Sequence, residues 1–398
     1  MYLTQQIKVQ TTKGQQQILW DLSEKCRLIY NFALKERNEQ FKQHKKSVSY
    51  LMQQNKLPKI KEKYPEYRWA YSKVLQYTLR TLDADFNSFF TLWKKGDRTA
   101  RPPRYKGKRF FTTMVYNQSG FKYGKGWIQL SHNHPLKMPL IFEIPKKYSF
   151  SKIFQISICQ KDNDFYLSIV YEQKSLKYID NGMYQAFDLG VRKHTAVNIK
   201  GKTISFENRR PDRYWKKTIE QLQSRRDHCK RNSRRYKHLD NALKRYKRKS
   251  SNQLRDFQHK LSRKIIDNTK ANTIIVGDLS VMEMCMKNKY EKGLHISLHN
   301  TGNIGRFVRF LTYKARLVGK RVIEIDERGT SKRCCVCGNI KVMPLYKRSY
   351  DCGICGNVID RDENSAVNIM LRFLSQNDLW TVYQQFIDNL RQTGIGYA

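Results

Sequence analysis

The chain has 398 residues, which is long enough for two or three domains that each bury a core. Its 77 lysines and arginines against 34 acidic residues give a formal net charge of +43, an excess that a bound polyanion would relieve. No segment is apolar for long enough to span a bilayer, and the N-terminus lacks the apolar core of a signal peptide, so we expect neither a transmembrane nor a secreted protein. Nucleic acid is the first candidate partner, because aromatic residues that could stack on bases are interleaved with the basic ones. An anionic membrane surface is the second candidate, and a basic soluble protein without a special partner is the alternative.

The first hundred residues predict one strand and two helices. The alternation from Leu3 to Val9 indicates a strand. The helix that follows has apolar residues at helical spacing, namely Ile18, Leu22, Cys26, Ile29 and Ala33. A second helix carries an apolar stripe that core packing explains most simply, made of Leu75, Leu79, Leu82, Phe86, Phe89 and Trp93. The prolines and glycine among the basic residues of 98–109 indicate a loop that lies against phosphate.

Residues 109–178 show the period-two pattern of β-strands. Ile156 and Ile158 alternate with polar residues, and after a turn at 162–164 we expect the alternation to continue at Tyr166, Ser168 and Val170. Two such runs joined by a short turn indicate a hairpin. Several short strands in this stretch suggest a small barrel or sandwich that the N-terminal strand helps to close.

From residue 184 the pattern becomes α/β. The predicted elements are a strand that carries Asp188, a strand at 197–206, a basic helical stretch at 211–267, a strand at 273–277, a helix at 301–319, a strand at 321–325 and a helix from Asn364. One face of the basic stretch carries Arg225, Arg226, Lys230, Arg231, Arg234 and Arg235. Acidic residues do not balance this face, so we interpret it as a phosphate-facing surface rather than a merely solvated one.

Four of the nine cysteines form two Cys-x-x-Cys pairs. They are Cys334 with Cys337 and Cys352 with Cys355, and Gly338 and Gly356 suit the tight turn after each pair. Four thiolates around one ion make a closed, structural Zn²⁺ site, and four free or redox-active thiols are the alternative. The other cysteines are scattered, which indicates no disulfide framework and favours a reducing cytoplasm.

Two aspartates lie where a metal-dependent nuclease would need them. Hydrolysis of a phosphodiester by two metal ions requires carboxylates that converge on ions about 4 Å apart. Asp188 ends an apolar strand and is followed by Gly190, and Asp362 opens a helix close to Asn364. A single aspartate after a strand is more often a turn or cap residue, so neither position is decisive alone.

The order of motifs resembles the RuvC-like nuclease domain of the TnpB family, the transposon-encoded RNA-guided nucleases that are similar to type V CRISPR effectors. The motifs are Phe187-Asp188-Leu189-Gly190-Val191, Ile275-Val276-Gly277-Asp278-Leu279, Thr330-Ser331 with the two cysteine pairs, and Asp360-Arg361-Asp362-Glu363-Asn364-Ser365-Ala366. Further similar segments are Arg27-Leu28-Ile29-Tyr30-Asn31, Pro102-Pro103-Arg104-Tyr105-Lys106, Phe257-Gln258-His259-Lys260 and Phe310-Leu311-Thr312-Tyr313-Lys314-Ala315. The resemblance covers all but the tail from about residue 375.

The resemblance implies a multidomain α+β fold. Its parts are a wedge β-barrel at 1–12 and 109–180, a helical recognition lobe at 13–108, a RuvC-like (RNase H-like) α/β domain at 181–328 and 359–375, a zinc-binding ribbon at 329–358 and a C-terminal tail at 376–398. It also implies nucleic-acid contacts from Arg27, Tyr30, Asn31, Arg104, Lys106, His259 and Lys260, beside the basic residues Arg225, Arg226, Arg231, Arg234 and Arg235.

One catalytic position departs from the family pattern. Asp188 and Asp362 match the first and third acids of the family's Asp-Glu-Asp triad, but Gly277 stands where the glutamate is expected. Asp278 cannot replace it, because side chains alternate across a strand. Another carboxylate such as Glu283, Glu324 or Glu327 could move in. Without one, we expect Mg²⁺ to bind weakly at most, and a glutamate restored at position 277 could bring back some cleavage.

The sequence therefore predicts a nuclease-dead, TnpB-like repressor. Such a protein uses a guide RNA to occupy double-stranded promoter DNA next to a short duplex motif, and it blocks transcription by excluding RNA polymerase. An active RNA-guided endonuclease with a relocated glutamate is the second hypothesis, and a guide-free basic protein that binds nucleic acid without sequence preference is the third. A bacterial cytoplasm, in association with the nucleoid, is the expected location.

Overall fold

The computed structural model describes residues 1–45, 47–161, 164–278, 303–344 and 346–393. These residues divide into two compact units, Met1–Lys174 and Ser175–Ala398. Within the described ranges, no helix is both long enough and apolar enough to cross a bilayer.

The first unit combines four helices with two antiparallel sheets. Its helices are α1 (Lys13–His44), α2 (Tyr50–Asn55), α3 (Leu57–Lys63) and α4 (Ser72–Lys94). Its strands are β1 (Tyr2–Val9), β2 (Met114–Asn117), β3 (Phe121–Gly124), β4 (Trp127–Leu130), β5 (Leu140–Glu143), β6 (Ile153–Lys161) and β7 (Asp164–Glu172). One sheet has the order β1-β7-β6-β2 and the other the order β3-β4-β5.

The helix predicted first is α1, and its N-terminus is fixed by a capping box. The Thr12 hydroxyl accepts the backbone N–H of Gln15, and the Gln15 side chain in turn accepts the backbone N–H of Thr12. All five apolar residues that the sequence placed on one face are buried, namely Ile18, Leu22, Cys26, Ile29 and Ala33.

The apolar stripe of α4 is core for only half its length. Leu75, Leu79 and Leu82 are buried, Phe86 packs half-buried against the same core, Phe89 is half-buried, and Trp93 is 43% exposed. The prediction that the whole stripe is core packing is therefore wrong for its C-terminal end. The guanidinium carbon of Arg98 lies 4.5 Å from the centre of the Trp93 ring, so a cation rather than the core covers that ring.

The predicted hairpin is β6–β7, but the second strand faces the opposite way. Ile156 pairs with Ile169 and Ile158 pairs with Leu167, and these four side chains are buried. The inward residues of β7 are thus the odd-numbered ones, not Tyr166, Ser168 and Val170. The odd-numbered and the even-numbered residues of β7 both include apolar side chains, so the sequence pattern did not show which set faces the core. The pairing with β6 shows it.

The second unit is an α/β unit around a five-stranded sheet. Its sheet strands are β8 (Tyr184–Leu189), β9 (Lys193–Asn198), β10 (Thr203–Glu207), β11 (Thr273–Asp278) and β12 (Arg321–Asp326). The helices are α5 (Pro211–Asp227), α6 (Arg234–Asn268), α7 (Ile304–Leu317), α8 (Arg361–Gln376) and α9 (Trp380–Gln392). Strands β13 (Ser349–Asp351) and β14 (Val358–Asp360) form a separate pair.

The sheet has the order β10-β9-β8-β11-β12, in which β8, β11 and β12 are parallel. The single strand predicted at 197–206 is in fact the hairpin β9–β10, which turns through Gly201 at a φ of +75°. One face of the sheet, with Ala186 and Ile275, packs against α8, and the other, with Phe187 and Val276, packs against α6 and α7. The carboxyl ends of the three parallel strands therefore meet at one edge, beneath the start of α8.

Two further segments differ from expectation. The basic stretch at 211–267 is two helices, α5 and α6, because the turn between them passes through Asn232 at a φ of +67°. The segment from 376 is not featureless, since α9 buries Phe386 and Leu390 in the α8 side of the core. Leu379, Val382, Tyr383, Phe386 and Leu390 recur at helical spacing, so the sequence did carry a signal for that helix.

A buried histidine makes the second unit sensitive to acid. His194 is 2% exposed, stacks on Phe307 with ring centroids 4.8 Å apart, and burial lowers its pKa from 6.5 to about 4. Between pH 6.5 and 4 the unfolded chain binds a proton that the folded chain does not, so stability falls as pH decreases through this window. We expect His194→Leu to reduce this loss by up to about 3 kcal/mol, measured by urea unfolding at pH 7 and pH 4.5.

The matched control for that measurement is His44→Leu, at an exposed position near the end of α1. It should leave the acid dependence of the unfolding free energy unchanged. An equal acid dependence in His194→Leu and the wild type would contradict the prediction.

Candidate metal centre and nucleic-acid interface

The strand register brings Asp188 and Gly277 side by side. Phe187 of β8 pairs with Val276 of β11, so the next residues along the two parallel strands are Asp188 and Gly277. Both follow the alternation of residues that face α8. A residue at 277 would therefore point its side chain at the same space as the Asp188 carboxylate, which is the relation expected of two metal ligands.

Glu327 occupies the space that a side chain at 277 would fill. On β12, Ile323 and Ile325 pack on the α8 side, and Glu327 continues this alternation just beyond the strand. A Cβ atom built on Gly277 would lie 1.8 Å from Glu327 Oε2 and 2.9 Å from its Cδ. No nonbonded pair of atoms can be this close, so this placement of the Glu327 carboxylate requires a glycine at position 277.

The Glu327 carboxylate has no internal partner for one oxygen. Glu327 Oε2 is buried and has no hydrogen-bond partner among the described residues. Burial, with Asp278 and Asp326 nearby, raises the pKa of Glu327 to about 7. A buried carboxylate oxygen without a donor is costly unless something outside the chain neutralises it.

Asp188 experiences the same concentration of negative charge. Burial raises its pKa well above the ordinary value, and the carboxylates of Glu327 and Asp362 raise it further. Two carboxylates that both raise the pKa of a buried third favour a bound divalent cation, because oxygen donors are the ligands that Mg²⁺ prefers. Asp188, Glu327 and Asp362 are therefore candidate ligands of such an ion.

Asp362, on the first turn of α8, is surrounded by cations. It is 6% exposed, and Oδ1 lies 3.4 Å from Arg361 and 3.6 Å from Arg348, while Oδ2 lies 4.0 Å from Lys193. The helix cap is Asp360, whose side chain accepts the backbone N–H groups of Asp362 and Glu363. Capping is therefore done by the neighbour, and Asp362 is left to face Asp188, whose pKa its charge helps to raise.

The backbone behind Asp188 is closely packed. A Cβ atom at Gly190 would lie 2.5 Å from the carbonyl oxygen of Lys193, so only glycine fits where β8 turns towards β9. That turn aims Lys193 at the acids, with its Nζ 3.0 Å from Asp360.

Of the other candidate carboxylates, neither Glu324 nor Asp278 fits the site. Both are exposed, and both have the opposite parity to the residues that face α8. Glu283 lies outside the described residues. Sequence reasoning named Glu327 only as one of three possibilities, and the pairing of β11 with β12 is what separates it from the others.

The four cysteines predicted to bind zinc converge on one point. Among the described residues they are the one group of potential ligands whose donor atoms all lie within 4.8 Å of one another; the three acids are more widely spaced. The sulfurs of Cys334 and Cys355 are 3.7 Å apart, and those of Cys337 and Cys352 are 3.5 Å apart. Sulfurs 2.3 Å from a tetrahedral zinc ion lie about 3.8 Å apart, so the cluster is compatible with structural zinc.

Each cysteine pair forms the same tight turn. Gly338 N donates to Cys334 O and Gly356 N donates to Cys352 O, at 3.1 and 2.9 Å. Both glycines have a positive φ, of +74° and +70°, which residues with a Cβ rarely adopt. We call residues 334–356, which contain both turns, the zinc knuckle. Cys335 is buried beside it, where burial raises its pKa to about 12.

The predicted nucleic-acid residues of the first unit largely bind one another. Arg27 is 6% exposed and donates to Glu24 and to the carbonyl of Lys106. The Asn31 amide both donates to the Lys106 carbonyl and accepts its N–H, and the Lys106 ammonium lies 3.7 Å from the Tyr30 ring.

Tyr30 is itself 2% exposed and donates to Asp85. The structure therefore gives Arg27, Tyr30, Asn31 and Lys106 internal partners, which join the α1 motif to the proline-rich segment. Arg104 alone among these predicted residues is exposed.

The basic residues between α5 and α6 divide into two groups. A cavity of about 460 Å³ is lined by Arg225, Arg234, Arg235, His238 and Leu239. Arg226 points elsewhere, because its guanidinium contacts Asp227 at 2.7 Å and Asp240 at 3.2 Å. Arg231 is exposed in the connecting turn. The cavity therefore carries the open positive charge, and Arg226 joins the two helices.

The remaining predicted contacts lie on α6. The His259 ring stacks on Phe310 with centroids 3.8 Å apart, and burial with neighbouring Lys314 lowers its pKa to about 4. It is therefore neutral at pH 7, so it cannot attract a phosphate by charge. Lys260 is exposed and forms an ion pair with Asp256 at 2.8 Å, which leaves its charge accessible to solvent.

Three family profiles match separate parts of the chain. A "Cas12f1-like, TNB domain" profile matches residues 305–369, which include the zinc knuckle and the start of α8. A "Probable transposase" profile, OrfB of IS605, matches residues 168–288, and a "Helix-turn-helix domain" profile of the same group matches residues 1–46. In that last range the structure has one strand and one 32-residue helix.

Two curated relatives illustrate the sequence similarity. The chain is 34% identical over 140 residues to the TnpB-like protein L79 of Acanthamoeba polyphaga mimivirus, a match that covers 35% of this chain and only 26% of that protein. It is 24% identical to a putative RNA-guided DNA endonuclease of Streptomyces pristinaespiralis, over 86% of this chain and 82% of that one.

A solved structure shares the fold. The Cas12f1 chain of a Cas12f1–sgRNA–target DNA complex superposes with a TM-score of 0.58 at 14% identity, and the match covers 90% of this chain and 83% of that chain. At that identity the likeness concerns the Cas12-like multidomain α+β fold alone. Together the profiles and relatives make the chain similar to the TnpB/IS605 family, with Cas12f-like homology.

Proposed function

We propose that this chain is an RNA-guided DNA endonuclease in which Glu327 supplies the carboxylate that position 277 lacks. The observation that carries the proposal is the overlap between Glu327 Oε2 and the Cβ position of residue 277, 1.8 Å apart. A relocated ligand explains why a glycine is found there, whereas a simple loss of the ligand does not explain why an acid from the next strand fills the gap.

The residues fit a divalent metal. Asp188, Glu327 and Asp362 would hold it, since Glu327 offers an unpartnered buried oxygen and the pKa of Asp188 is raised by the other two acids. Bound Mg²⁺ ions would activate the attacking water and stabilise the leaving oxygen of the phosphodiester. The chain itself carries the three carboxylates on the end of β8, on the residue after β12 and on α8, and Lys193 and Arg348 add positive charge beside Asp362 for the phosphate.

Guide RNA and double-stranded target DNA are the proposed partners. A net charge of +43 suits a protein that holds two polyanions, and the cavity between α5 and α6 offers three arginines to a phosphate backbone. The similar proteins named above include a putative RNA-guided DNA endonuclease and a Cas12f1–sgRNA–target DNA complex. In such a protein, base pairing with the guide supplies the sequence specificity.

The nuclease-dead repressor remains the second candidate function. Two observations favour it: Gly277 itself, and the three cations within 4.0 Å of Asp362, which can neutralise this acid without a metal ion. In that case the protein would occupy its target DNA and block transcription while leaving both strands whole.

Two measurements separate the functions. Sequencing the RNA that co-purifies with the protein should give one defined scaffold-plus-guide species, and a random mixture would instead favour a guide-free nucleic-acid-binding protein. A plasmid that carries the guide's target should then be cut in the presence of Mg²⁺. Tight target binding with both strands intact would favour the repressor.

The cavity between α5 and α6 gives a prediction about salt dependence. We expect the triple change Arg225→Gln, Arg234→Gln and Arg235→Gln to weaken nucleic-acid binding. The slope of log K against log salt concentration should fall in magnitude by about 2 to 3, since each lost phosphate contact removes about 0.7 to 0.9. Filter binding or fluorescence anisotropy from 50 to 300 mM salt measures the slope.

Arg226→Gln is the control, because this arginine lies next to Arg225 on α5 but is paired with Asp227 and Asp240. It should lower the unfolding temperature and leave the slope nearly unchanged. An unchanged slope in the triple variant would show that phosphates do not bind in this cavity.

A further inference from the structure

One loop connects the proposed metal centre to the zinc knuckle. It begins at Glu327, directly after β12, and ends at the first zinc-binding cysteine, Cys334. We call residues 327–334 the connecting loop. Strand pairing ends at Asp326, which pairs with Asp278, so the sheet does not fix the backbone that carries Glu327. Something else has to hold that backbone in place.

A row of polar side chains on α8 holds the connecting loop. Asn364, Asn368 and Arg372 are spaced by four residues and so lie on one face of the helix. The Asn368 amide is 6% exposed and donates to the carbonyls of Thr330 and Arg333, at 2.9 and 2.7 Å. The fully buried Asn364 donates to the same two carbonyls.

The third member of the row lies beside Glu327 itself. Arg372 donates to the carbonyl of Asp326 at 2.5 Å and to the carbonyl of Arg328 at 2.9 Å, so one guanidinium bridges the residues before and after Glu327. The Thr330 hydroxyl donates to the Glu327 carbonyl at 2.8 Å and lies 3.0 Å from the Ser365 hydroxyl of α8. The backbone of Glu327 is thus bonded on both sides to one helix.

The same row fastens the zinc knuckle. Asn364 Oδ1 accepts the backbone N–H of Cys335 at 2.9 Å, and Arg333, whose carbonyl both asparagines bind, precedes Cys334. Helix α8 also carries Asp362, two residues before Asn364. One helix therefore fixes one carboxylate directly, a second through the connecting loop, and the four-cysteine cluster through the end of that loop.

We propose that Asn364, Asn368 and Arg372 are positioning residues that set the Glu327 carboxylate for the divalent ion and couple that ion to the zinc knuckle. This inference rests on the proposed endonuclease centre. The two metal sites then stabilise one backbone arrangement of the connecting loop, so each ion binds more tightly when the other is present. By linkage the two effects are equal in factor.

The test uses the full chain and Mn²⁺ as the probe. The unfolding temperature is measured against Mn²⁺ concentration, and the part of the response that Glu327→Gln removes is assigned to the carboxylate centre. Asn368→Ala should raise the half-saturating Mn²⁺ concentration about tenfold or more, the range seen when supporting residues of metal ligands are removed, while zinc content stays at one ion per chain. Zinc-free wild type, prepared with a chelator that is then removed by dialysis before Mn²⁺ is added, should show the same effect.

Two variants keep the result interpretable. Asn377→Ala is the control, because within the described part of the chain the Asn377 amide, just after α8, donates to the Phe373 carbonyl and not to the connecting loop. Arg372→Lys replaces a guanidinium that donates to two carbonyls by an ammonium group, which acts as a point charge. Because Arg372 is partly exposed, this variant tests the same idea if Asn368→Ala fails to fold. A half-saturating concentration that neither variant nor zinc removal changes overturns the coupling and leaves the endonuclease proposal standing. A wild type without any Glu327-dependent Mn²⁺ response overturns both.

Discussion

Glu327→Gln is expected to abolish target cleavage while leaving target binding intact. The amide has the size and shape of the carboxylate but no negative charge, so it keeps the packing against Gly277 and removes a metal ligand. Removing a residue that supports a metal ligand lowers metal affinity or activity by about 10–100-fold. Removing the ligand itself should lower the cleavage rate by at least about 100-fold. The measurement is single-turnover cleavage of a target plasmid by the purified RNA–protein complex, with binding followed separately by gel shift.

The control for that experiment is the neighbouring acid Glu324. Glu324 lies on β12, just before Glu327, and its side chain is exposed and alternates with those that face α8. Glu324→Gln should therefore cleave at the wild-type rate. Asp188→Asn should match Glu327→Gln, because both remove ligands from one centre. Equal cleavage by Glu327→Gln and the wild type would show that the carboxylate is not a ligand.

The pH dependence of the unfolding free energy of Glu327→Gln gives a second way to distinguish the endonuclease from the repressor. If the chain is a repressor that does not cut, this variant has no cleavage to lose. The amide should then make the protein more stable above pH 7, because a carboxyl group whose pKa is raised to about 7 no longer has to ionise in a buried site. In the endonuclease, Mn²⁺ should reverse that order of stability.

The cysteine pairs give a local signal in the sequence, whereas neither aspartate is decisive alone and the order of the family motifs was needed to select both as candidates. Asp188 follows an apolar strand and Asp362 opens a helix, and each pattern lies within about ten residues. The cysteine pairs have fixed spacing and are followed by glycines that adopt a positive φ. Such features do not depend on how distant segments pair, so the chain order alone locates them.

The third carboxylate could not be predicted in the same way. To choose Glu327 over Glu324, one must know which residues of β12 face α8. To relate Glu327 to Gly277, one must know the parallel register of two strands that lie more than forty residues apart in sequence. A periodic pattern does not contain that register. Position 277 showed only that something was missing, and the long-range pairing shows what fills the space.

The N-terminal motif shows the opposite limit. Arg27, Tyr30 and Asn31 are polar residues of the kind that bind nucleic acid, yet each has a partner inside the chain. Their partners, Asp85 and the Lys106 backbone, come from segments 55 to 79 residues away. Polar side chains that hold two distant segments together look the same in sequence as side chains that hold a ligand.

Exchanging the carboxylate between positions 277 and 327 gives the sharpest test of the metal centre. The sequence alone suggested that Gly277→Glu could restore cleavage to an inactive centre. The structure leads to the opposite expectation, since a Cβ at 277 would lie 1.8 Å from Glu327 Oε2 and the two acids would compete for one space. Gly277→Glu should therefore lose most cleavage and lower the unfolding temperature.

The double variant Gly277→Glu with Glu327→Ala removes that conflict and returns a carboxylate to the centre from the neighbouring strand. We expect it to cleave at least about tenfold faster than either single variant, a non-additivity typical of residues that share one site. Gly277→Ala with Glu327→Ala has the space but no carboxylate, and it should stay inactive. If instead Gly277→Glu alone cuts faster than the wild type, then Glu327 is not a metal ligand. The natural chain would then bind its target without cutting it, and Gly277 would mark a catalytic glutamate that was lost rather than relocated.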